Sequence, residues 1–150
     1  ILRPNPEGVE RHTLSNILET KHYTLNGFRS EHAARAHQTS ARYPRDASEF
    51  DQCGFTPRYV DGCEAPFVEE CPLQIGLSLR EHQCLAINDT HLIIGEITHL
   101  AIPDAVVRED GSVDLAAMGL AAVTGLDSYH GVLPGIRYAY PKPDSAPEPI

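Results

Sequence analysis

The chain has 150 residues, a length that predicts one domain with a hydrophobic core and is too short for two. Hydrophobic residues make up 41% of the chain and charged residues 22%, values typical of globular proteins, which argues against wholesale disorder. The formal net charge is −9, and phosphate contacts need clustered lysine and arginine side chains. Nucleic acid is therefore not expected as the main partner, although a few basic side chains could still hold a small anion.

The four cysteines indicate a reducing compartment. No two of the four cysteines form a C-x-x-C pair, and their spacing matches no zinc module; they are Cys53, Cys63, Cys71 and Cys84. Four cysteines are also too few for a disulfide scaffold in a chain of this length. We therefore expect reduced thiols in a cytoplasmic protein. The sequence shows no secretory leader and no apolar run long enough to cross a bilayer.

The first part of the chain is predicted to be mainly helical. A Pro/Gly turn at residues 4–8 precedes residues 11–20, in which leucine and isoleucine recur at helical spacing. Thr13 is the predicted N-cap, because its hydroxyl can accept a hydrogen bond from an unpaired amide of the first turn. Residues 22–28 alternate apolar and polar side chains, which indicates a strand.

Two more helices are predicted before the middle of the chain. Residues 30–41 are rich in alanine and favour a helix that Pro44 interrupts. A short helix is expected to begin after Ser48 and to end at Gly54.

The second half is predicted to be rich in strands. Residues 73–87 indicate one strand or a strand pair, and residues 91–102 form the clearest strand of the chain. Gly95 inside that strand indicates either a bulge or a close approach of another group to the backbone. Residues 115–126 are consistent with a short helix or a buried connection, and the proline-rich residues 137–150 with a poorly ordered tail. These elements predict an α+β fold or a barrel with peripheral helices.

A candidate anion site lies at the start of the first predicted helix. Arg3, Arg11 and His12 stand just before or at that start, where unpaired amides and the helix dipole favour an anion such as phosphate. The alternative is that Arg11 and His12 are solvated and that Thr13 only caps the helix.

Hydroxyl side chains follow the second predicted helix. Thr39 and Ser40, followed by Arg42 and Tyr43, could hold a phosphate or a ring carbonyl together with backbone amides. The alternative is a local turn in which these hydroxyls only terminate the helix.

Two histidines of the clearest strand do not indicate a metal site. His91 and His99 are eight residues apart, so a regular strand places both on one face but too far apart to share an ion, and a bulge at Gly95 would place them on opposite faces. No metal is expected.

Tyr129 and His130 lie in the glycine-framed residues 124–131. They could contact a planar ligand or a hydride carrier, or they could belong to an ordinary polar loop. No G-x-S-x-G motif supports a serine nucleophile, and no G-x-G-x-x-G motif supports a dinucleotide site.

Five segments taken in chain order resemble the flavin reductase-like proteins with an FMN-binding split β-barrel, which include flavoredoxin and the small flavin reductases. The segments are residues 1–20, 36–57, 65–79, 91–104 and 109–131. The resemblance implies a mainly β (α+β), Greek-key-like barrel of six strands with peripheral helices. Family members usually form a homodimer with FMN near the subunit interface. The family also has N-terminal barrel strands, so residues 1–140 are expected to be the C-terminal major part of one such domain, which lacks those strands here, and residues 141–150 a tail.

The resemblance also implies roles for particular residues. The group near the FMN phosphate would be Arg3, Arg11, His12 and Thr13. The group lining the flavin would be Thr39, Ser40 and Ala41. The catalytic residues beside the isoalloxazine or nicotinamide would be Tyr129 and His130.

The implied activity is NAD(P)H-dependent reduction of flavin by hydride transfer to the flavin N5, with a downstream electron acceptor as a further partner. One alternative is an FMN-binding electron carrier without NAD(P)H turnover, and another is a non-catalytic barrel domain. Neither a membrane nor a nucleic acid is expected as a partner.

Overall fold

A computed structural model describes residues 1–3 and 11–150, so the predicted turn at residues 4–8 lies outside the described residues. The helices agree with the sequence predictions in number and order, although the second is shorter and begins with a 3-10 turn. They are α1 (His12–Thr20), a 3-10 turn (Ser30–His32), α2 (Ala33–Gln38), α3 (Glu49–Cys53) and a second 3-10 turn (Asp104–Val106). None of the described helices has the length and apolar character needed to cross a lipid bilayer.

The strands form three antiparallel sheets: a three-stranded sheet in the order β1-β4-β5 and the two hairpins β2-β3 and β6-β7. They are β1 (His22–Gly27), β2 (Pro57–Val60), β3 (Cys63–Val68), β4 (Leu73–Leu85), β5 (Thr90–Ala101), β6 (Ala121–Thr124) and β7 (Ser128–Gly131). The predicted strand or strand pair at residues 73–87 is thus one long strand, and it pairs with β5 along most of its length.

The start of α1 differs from the prediction. Arg11, not Thr13, is the N-cap, with extended backbone angles, and no side chain of the described residues caps this end. The helix begins at His12, which leaves Thr13 within the first turn. The prediction that Thr13 is the N-cap is therefore wrong, because the chain enters the helical conformation two residues earlier.

The β4-β5 ladder contains two bulges. Its register shifts between Gly76 and Leu77, which leaves Thr98 of β5 as an extra residue, and again between Leu79 and Glu81, which leaves Arg80 of β4 as an extra residue. An extra residue reverses the alternation of side chains between the two faces of a sheet. The bulge at Thr98 therefore places His91 and His99 on opposite faces.

The β2-β3 hairpin covers one face of the three-stranded sheet. Phe67 is fully buried, and its ring packs against His99 with the two centroids 5.1 Å apart. The face opposite this hairpin, defined by Leu25, Ile97 and Leu100, is the open sheet face, and each of these three side chains is more than half exposed. The sheet thus has one covered face and one open face.

The residues after β5 fold around a second apolar cluster. Val106, Met118 and Leu120 are buried there, and the partly buried side chains packed against them are Leu73, Ile102, Val113 and Val132. Residues 115–119 form turns and are followed by β6, so this segment contains no helix. The C-terminal tail folds back on itself, since Ala139 N donates to Glu148 O at 2.9 Å.

Candidate functional site

A cavity of about 730 Å³ lies between α1, the segment that contains α3, and the β1 and β2-β3 strands. Its walls combine aromatic, hydroxyl, amide and carboxylate side chains. The lining residues are His12, Thr13, Asn16, Ile17, Thr20, His22, Tyr23, Thr24, Asn26, Thr39, Ser48, Glu49, Phe50, Phe55, Tyr59, Glu64, Ala65, Pro66 and Val68. Ligand pockets are typically about 300–1,000 Å³, so this cavity has room for a cofactor-sized molecule.

A polar network fixes the wall between β1 and β3. The Thr24 hydroxyl donates to Pro66 O at 2.7 Å, and the side-chain nitrogen Asn26 Nδ2 donates to Thr24 Oγ1 at 2.9 Å. Asn26 Oδ1 in turn accepts a hydrogen bond from Val68 N at 3.1 Å. These hydrogen bonds join β1 to β3, so they fix the position of the two strands relative to each other at the cavity.

The first turn of α1 contributes His12 and Thr13 to the cavity. No side chain of the described residues caps this helix, and the unpaired amides of a helix's first turn suit an anion. The predicted basic residues Arg3 and Arg11 do not line the cavity, and Arg11 Nε donates to Arg3 O at 2.8 Å. The structure thus places His12 and Thr13 together at the cavity, while Arg11, the N-cap of α1, is bonded to Arg3 outside the cavity lining.

Of the three residues predicted to line the flavin, Thr39, Ser40 and Ala41, only the first lines the cavity. Thr39 lines the cavity, and its hydroxyl donates to Ala36 O at 2.7 Å. Ser40 N donates to His37 O and Ala41 N to Gln38 O, both at 3.0 Å, and neither residue lines the cavity. The backbone at Ser40 and Ala41 therefore forms a turn at the end of α2.

Tyr129 and His130 lie on β7 and do not line this cavity. The Tyr129 hydroxyl lies 3.0 Å from His37 Nδ1, and the two rings meet edge to face. His130 Nε2 lies 3.0 Å from the hydroxyl of Thr124, a residue of the neighbouring strand β6. The structure therefore attaches the β6-β7 hairpin to α2 through Tyr129 and directs His130 along its own hairpin.

Sequence reasoning missed the aromatic side chains of the cavity. Tyr23, Phe50, Phe55 and Tyr59 come from β1, α3, the loop after α3 and β2. Burial raises the pKa of Tyr23, so its hydroxyl stays protonated at neutral pH. Only tertiary folding brings these four rings together, since they are spread over 37 positions of sequence.

The cavity wall also carries two carboxylates that the sequence did not single out. Glu49 lies at the start of α3 and Glu64 on β3. A carboxylate disfavours a second negative charge beside it, so these parts of the wall do not suit a phosphate. The cavity is thus asymmetric, with the first turn of α1 at one part of its wall and the carboxylates of Glu49 and Glu64 at others.

The remaining histidines and cysteines form no reactive cluster around the cavity. His82 Nε2 lies 2.8 Å from His91 Nδ1, and in residues 1–3 and 11–150 no group of three or more metal-binding side chains is arranged to hold an ion. All four cysteines are free. Burial, together with the nearby charge of Glu70, raises the pKa of Cys71 to about 11, so that thiol is a poor nucleophile at neutral pH.

Comparison with known proteins relates most of the chain to one family. Residues 7–117 match the model of the flavin reductase like domain. An uncharacterized protein from Aquifex aeolicus (strain VF5) is 24% identical over 102 residues, which cover 68% of this chain and 51% of the relative. This chain therefore spans about half the length of that curated relative.

Solved structures share the fold. A candidate flavin reductase with a split barrel domain from Shewanella frigidimarina NCIMB 400 superposes with a TM-score of 0.84 at 44% identity, over 87% of this chain and 66% of that chain. The flavoredoxin of Desulfovibrio vulgaris (Miyazaki F) superposes with a TM-score of 0.70 at 23% identity, over 90% of this chain and 69% of that chain. The predicted mainly β, split-barrel fold is thereby confirmed, and the chain belongs to the flavin reductase-like domain family.

Proposed function

We propose that this domain binds FMN in the cavity beside α1 and belongs to an NAD(P)H-dependent flavin reductase. The observation that carries the proposal is the first turn of α1, which no side chain of the described residues caps, at the edge of a cavity with four aromatic side chains. Free helix amides suit a phosphate, and aromatic rings suit a planar tricyclic group. The membership of residues 7–117 in the flavin reductase like domain family supports the same assignment.

The residues present fit an FMN molecule. The amides of His12 and Thr13 would hold its phosphate, with Arg3 and Arg11 adding positive charge from outside the cavity lining. Thr39 would contribute a hydroxyl, while Glu49 and Glu64 would keep the phosphate away from their part of the wall. FMN, when bound, supplies hydride acceptance and electron transfer, so the protein supplies binding, orientation and electrostatics.

A second candidate function is an FMN-binding electron carrier without NAD(P)H turnover. The observation that favours it is the placement of Tyr129 and His130, which bond to His37 and Thr124 and do not line the cavity. A reductase needs side chains that orient the nicotinamide beside the flavin, and these two residues were the predicted ones. Under the reductase proposal, His130 would contact the nicotinamide from β7, outside the cavity.

The test is a titration of the purified protein with FMN, followed by fluorescence quenching and visible absorbance. We expect His12→Ala and Arg11→Ala to raise the dissociation constant about three- to tenfold, because the first removes an imidazole that lines the cavity at the phosphate end and the second a positive charge near it. His130→Ala serves as the control and should leave FMN binding unchanged. A protein that is colourless after incubation with excess FMN and removal of the unbound FMN would refute FMN binding.

Stopped-flow mixing then separates the two candidate functions. Bleaching of the flavin absorbance on mixing the FMN complex with NADH or NADPH supports the reductase, and His130→Ala should slow that bleaching. A complex that is reduced by dithionite but by neither nicotinamide supports the electron carrier.

We further propose a cytoplasmic homodimer that passes electrons to a downstream acceptor. The four free thiols support a reducing compartment, and the apolar side chains exposed on the open sheet face support association. Sedimentation of the FMN complex gives the oligomeric state.

A further inference from the structure

Arg35 of α2 joins three parts of the chain at the back of the cavity wall. Its Nε donates to Cys53 O at 3.0 Å, and its Nη2 donates to the adjacent Gly54 O. Its guanidinium carbon lies 4.1 Å from the ring centroid of Phe55. One side chain therefore binds two consecutive carbonyls at the end of α3 and stacks on the next residue.

Glu70 holds the same segment from the other side. Both of its carboxylate oxygens accept a hydrogen bond from Thr56 N at 3.1 Å, and Oε1 also accepts one from the Thr56 hydroxyl at 3.1 Å. Arg35 Nη2 lies 3.7 Å from Glu70 Oε1, which completes an ion pair across the segment. Residues 53–56 are thus clamped between α2 and the end of the β2-β3 hairpin.

This clamp reaches the cavity at Phe55. Phe55 is buried and lines the cavity, so the stacked guanidinium defines the plane of a ring that forms part of the wall. The Arg35 side chain therefore contacts the cavity wall through the aromatic ring of Phe55.

We propose that Arg35 is a positioning residue that fixes Phe55, and with it the aromatic wall of the cavity, for the bound ligand. The identity of that ligand as FMN rests on the proposed function. Arg35 does not itself line the cavity, so it acts through Phe55 and the carbonyls that precede it. Glu70 supports Arg35 by holding Thr56 and by pairing with the guanidinium.

The geometry requires arginine in particular. A guanidinium is planar and presents several donors in a rigid fork, so it can bind two carbonyls and stack on a ring at the same time. A lysine ammonium keeps the charge that pairs with Glu70 but lacks both the fork and the flat face. Arg35→Lys therefore separates positioning of Phe55 from charge.

The experiment compares Arg35→Lys with Arg80→Lys. Arg80 carries the same side chain, pairs with Glu96 and lies on β4 away from the cavity, so it is a matched control. We expect Arg35→Lys to raise the FMN dissociation constant about five- to twentyfold and to shift the visible absorbance of bound FMN, since that band reports aromatic contacts. Arg80→Lys should bind within twofold of the unmodified protein.

Amide hydrogen exchange of the ligand-free proteins is the second measurement. The Phe55 amide donates to Phe50 O at 2.9 Å and the Thr56 amide to Glu70, so both report on the clamp. Arg35→Lys should speed exchange at residues 54–56 about tenfold, and Arg80→Lys should leave it unchanged. Unchanged exchange there would overturn the inference, as would FMN binding within twofold of the unmodified protein.

The two measurements also distinguish this inference from the proposed function. If the unmodified protein binds no FMN, the proposed function fails, and the exchange at residues 54–56 alone decides whether Arg35 positions the wall. If FMN binds normally to both variants, the proposed function stands and the positioning role of Arg35 is refuted.

Discussion

Gly95 shows how a single residue depends on a neighbour that is remote in sequence. A methyl group at this position would lie 2.8 Å from Cζ and 2.9 Å from Cε1 of Tyr23, well inside van der Waals contact. The absence of a side chain lets the Tyr23 ring lie across the sheet toward β5. Sequence reasoning gave a bulge or a close approach as the reason for this glycine, and the structure shows the close approach. The bulged residues are Arg80 and Thr98.

Gly95→Ala should destabilise the protein by about 1–3 kcal/mol, because the added methyl group forces the Tyr23 ring out of place. It should also weaken FMN binding, since Tyr23 lines the cavity. Urea unfolding gives the first effect and FMN titration the second. Gly131→Ala is the control, because a methyl group there meets no atom within 4 Å. Equal unfolding midpoints for the two variants would contradict the crowding at Gly95.

At the scale of elements, hydrogen bonds between segments decide what local sequence leaves open. Residues 115–126 contain alanine, leucine and methionine, which favour a helix, yet they form turns and the strand β6. The reason is tertiary, since Met118 and Leu120 are buried against Val106 and β6 pairs with β7. The α3 segment was predicted correctly because its signals are local: it begins after Ser48, and Gly54 ends it in the left-handed conformation.

The link between the α3 segment and the β2-β3 hairpin should depend on pH. Burial alone would raise the pKa of Glu70, but hydrogen bonds from Thr56 and the charge of Arg35 outweigh it, so the pKa lies below the ordinary value of 4.5. A lowered pKa in the folded state adds stability above about pH 4.5, which is lost as the pH falls through the folded value.

Glu70→Gln should therefore lower the Tm at pH 7 by roughly 2–4 °C, the shift that a loss of about 1 kcal/mol produces in a chain of this length. The difference from the unmodified protein should shrink as the pH falls below about 4.5. Thermal unfolding between pH 3 and pH 7 measures it, with Glu96→Gln of the exposed Arg80–Glu96 pair as the control. A Tm difference that stays constant over this range would show that the Glu70 charge contributes nothing.

At the scale of the whole molecule, the tail is attached to the body by an ion pair. Arg137 Nη2 donates to Asp110 Oδ2, in the turn between Val106 and Met118 of the second apolar cluster. Hydrogen bonds from Ser112, followed by the one from Arg137, keep the pKa of Asp110 far below its ordinary value, so this carboxylate is charged at neutral pH. The sequence predicted a poorly ordered tail, but the structure attaches the start of the tail through a specific ion pair that local composition does not reveal.

Arg137→Ala should release the tail and expose the chain at Tyr138 to proteolysis. We expect chymotrypsin to cleave after Tyr138 about two- to fivefold faster than in the unmodified protein, a modest factor because exposed ion pairs are weak. Mass spectrometry of timed digests gives the rate. Lys142→Ala removes a charge from the same tail and should leave the rate unchanged; if both variants are cleaved at the same rate, the Arg137–Asp110 pair does not hold the tail.

The family resemblance, carried by five segments in chain order, is confirmed by the family match. Local sequence predicted the three helices and the strand β5, because helical periodicity and alternation are local properties, and it left β4 open between one strand and a strand pair. It also singled out His12, Thr13 and Thr39, which the structure brings to one cavity. Only the tertiary structure decided the rest: the aromatic wall, the clamp by Arg35, and the separation of Tyr129 and His130 from that cavity. The physical reason is that each of these depends on contacts between residues far apart in the chain, and one extra residue in a ladder, such as Thr98, changes the face that every later side chain occupies.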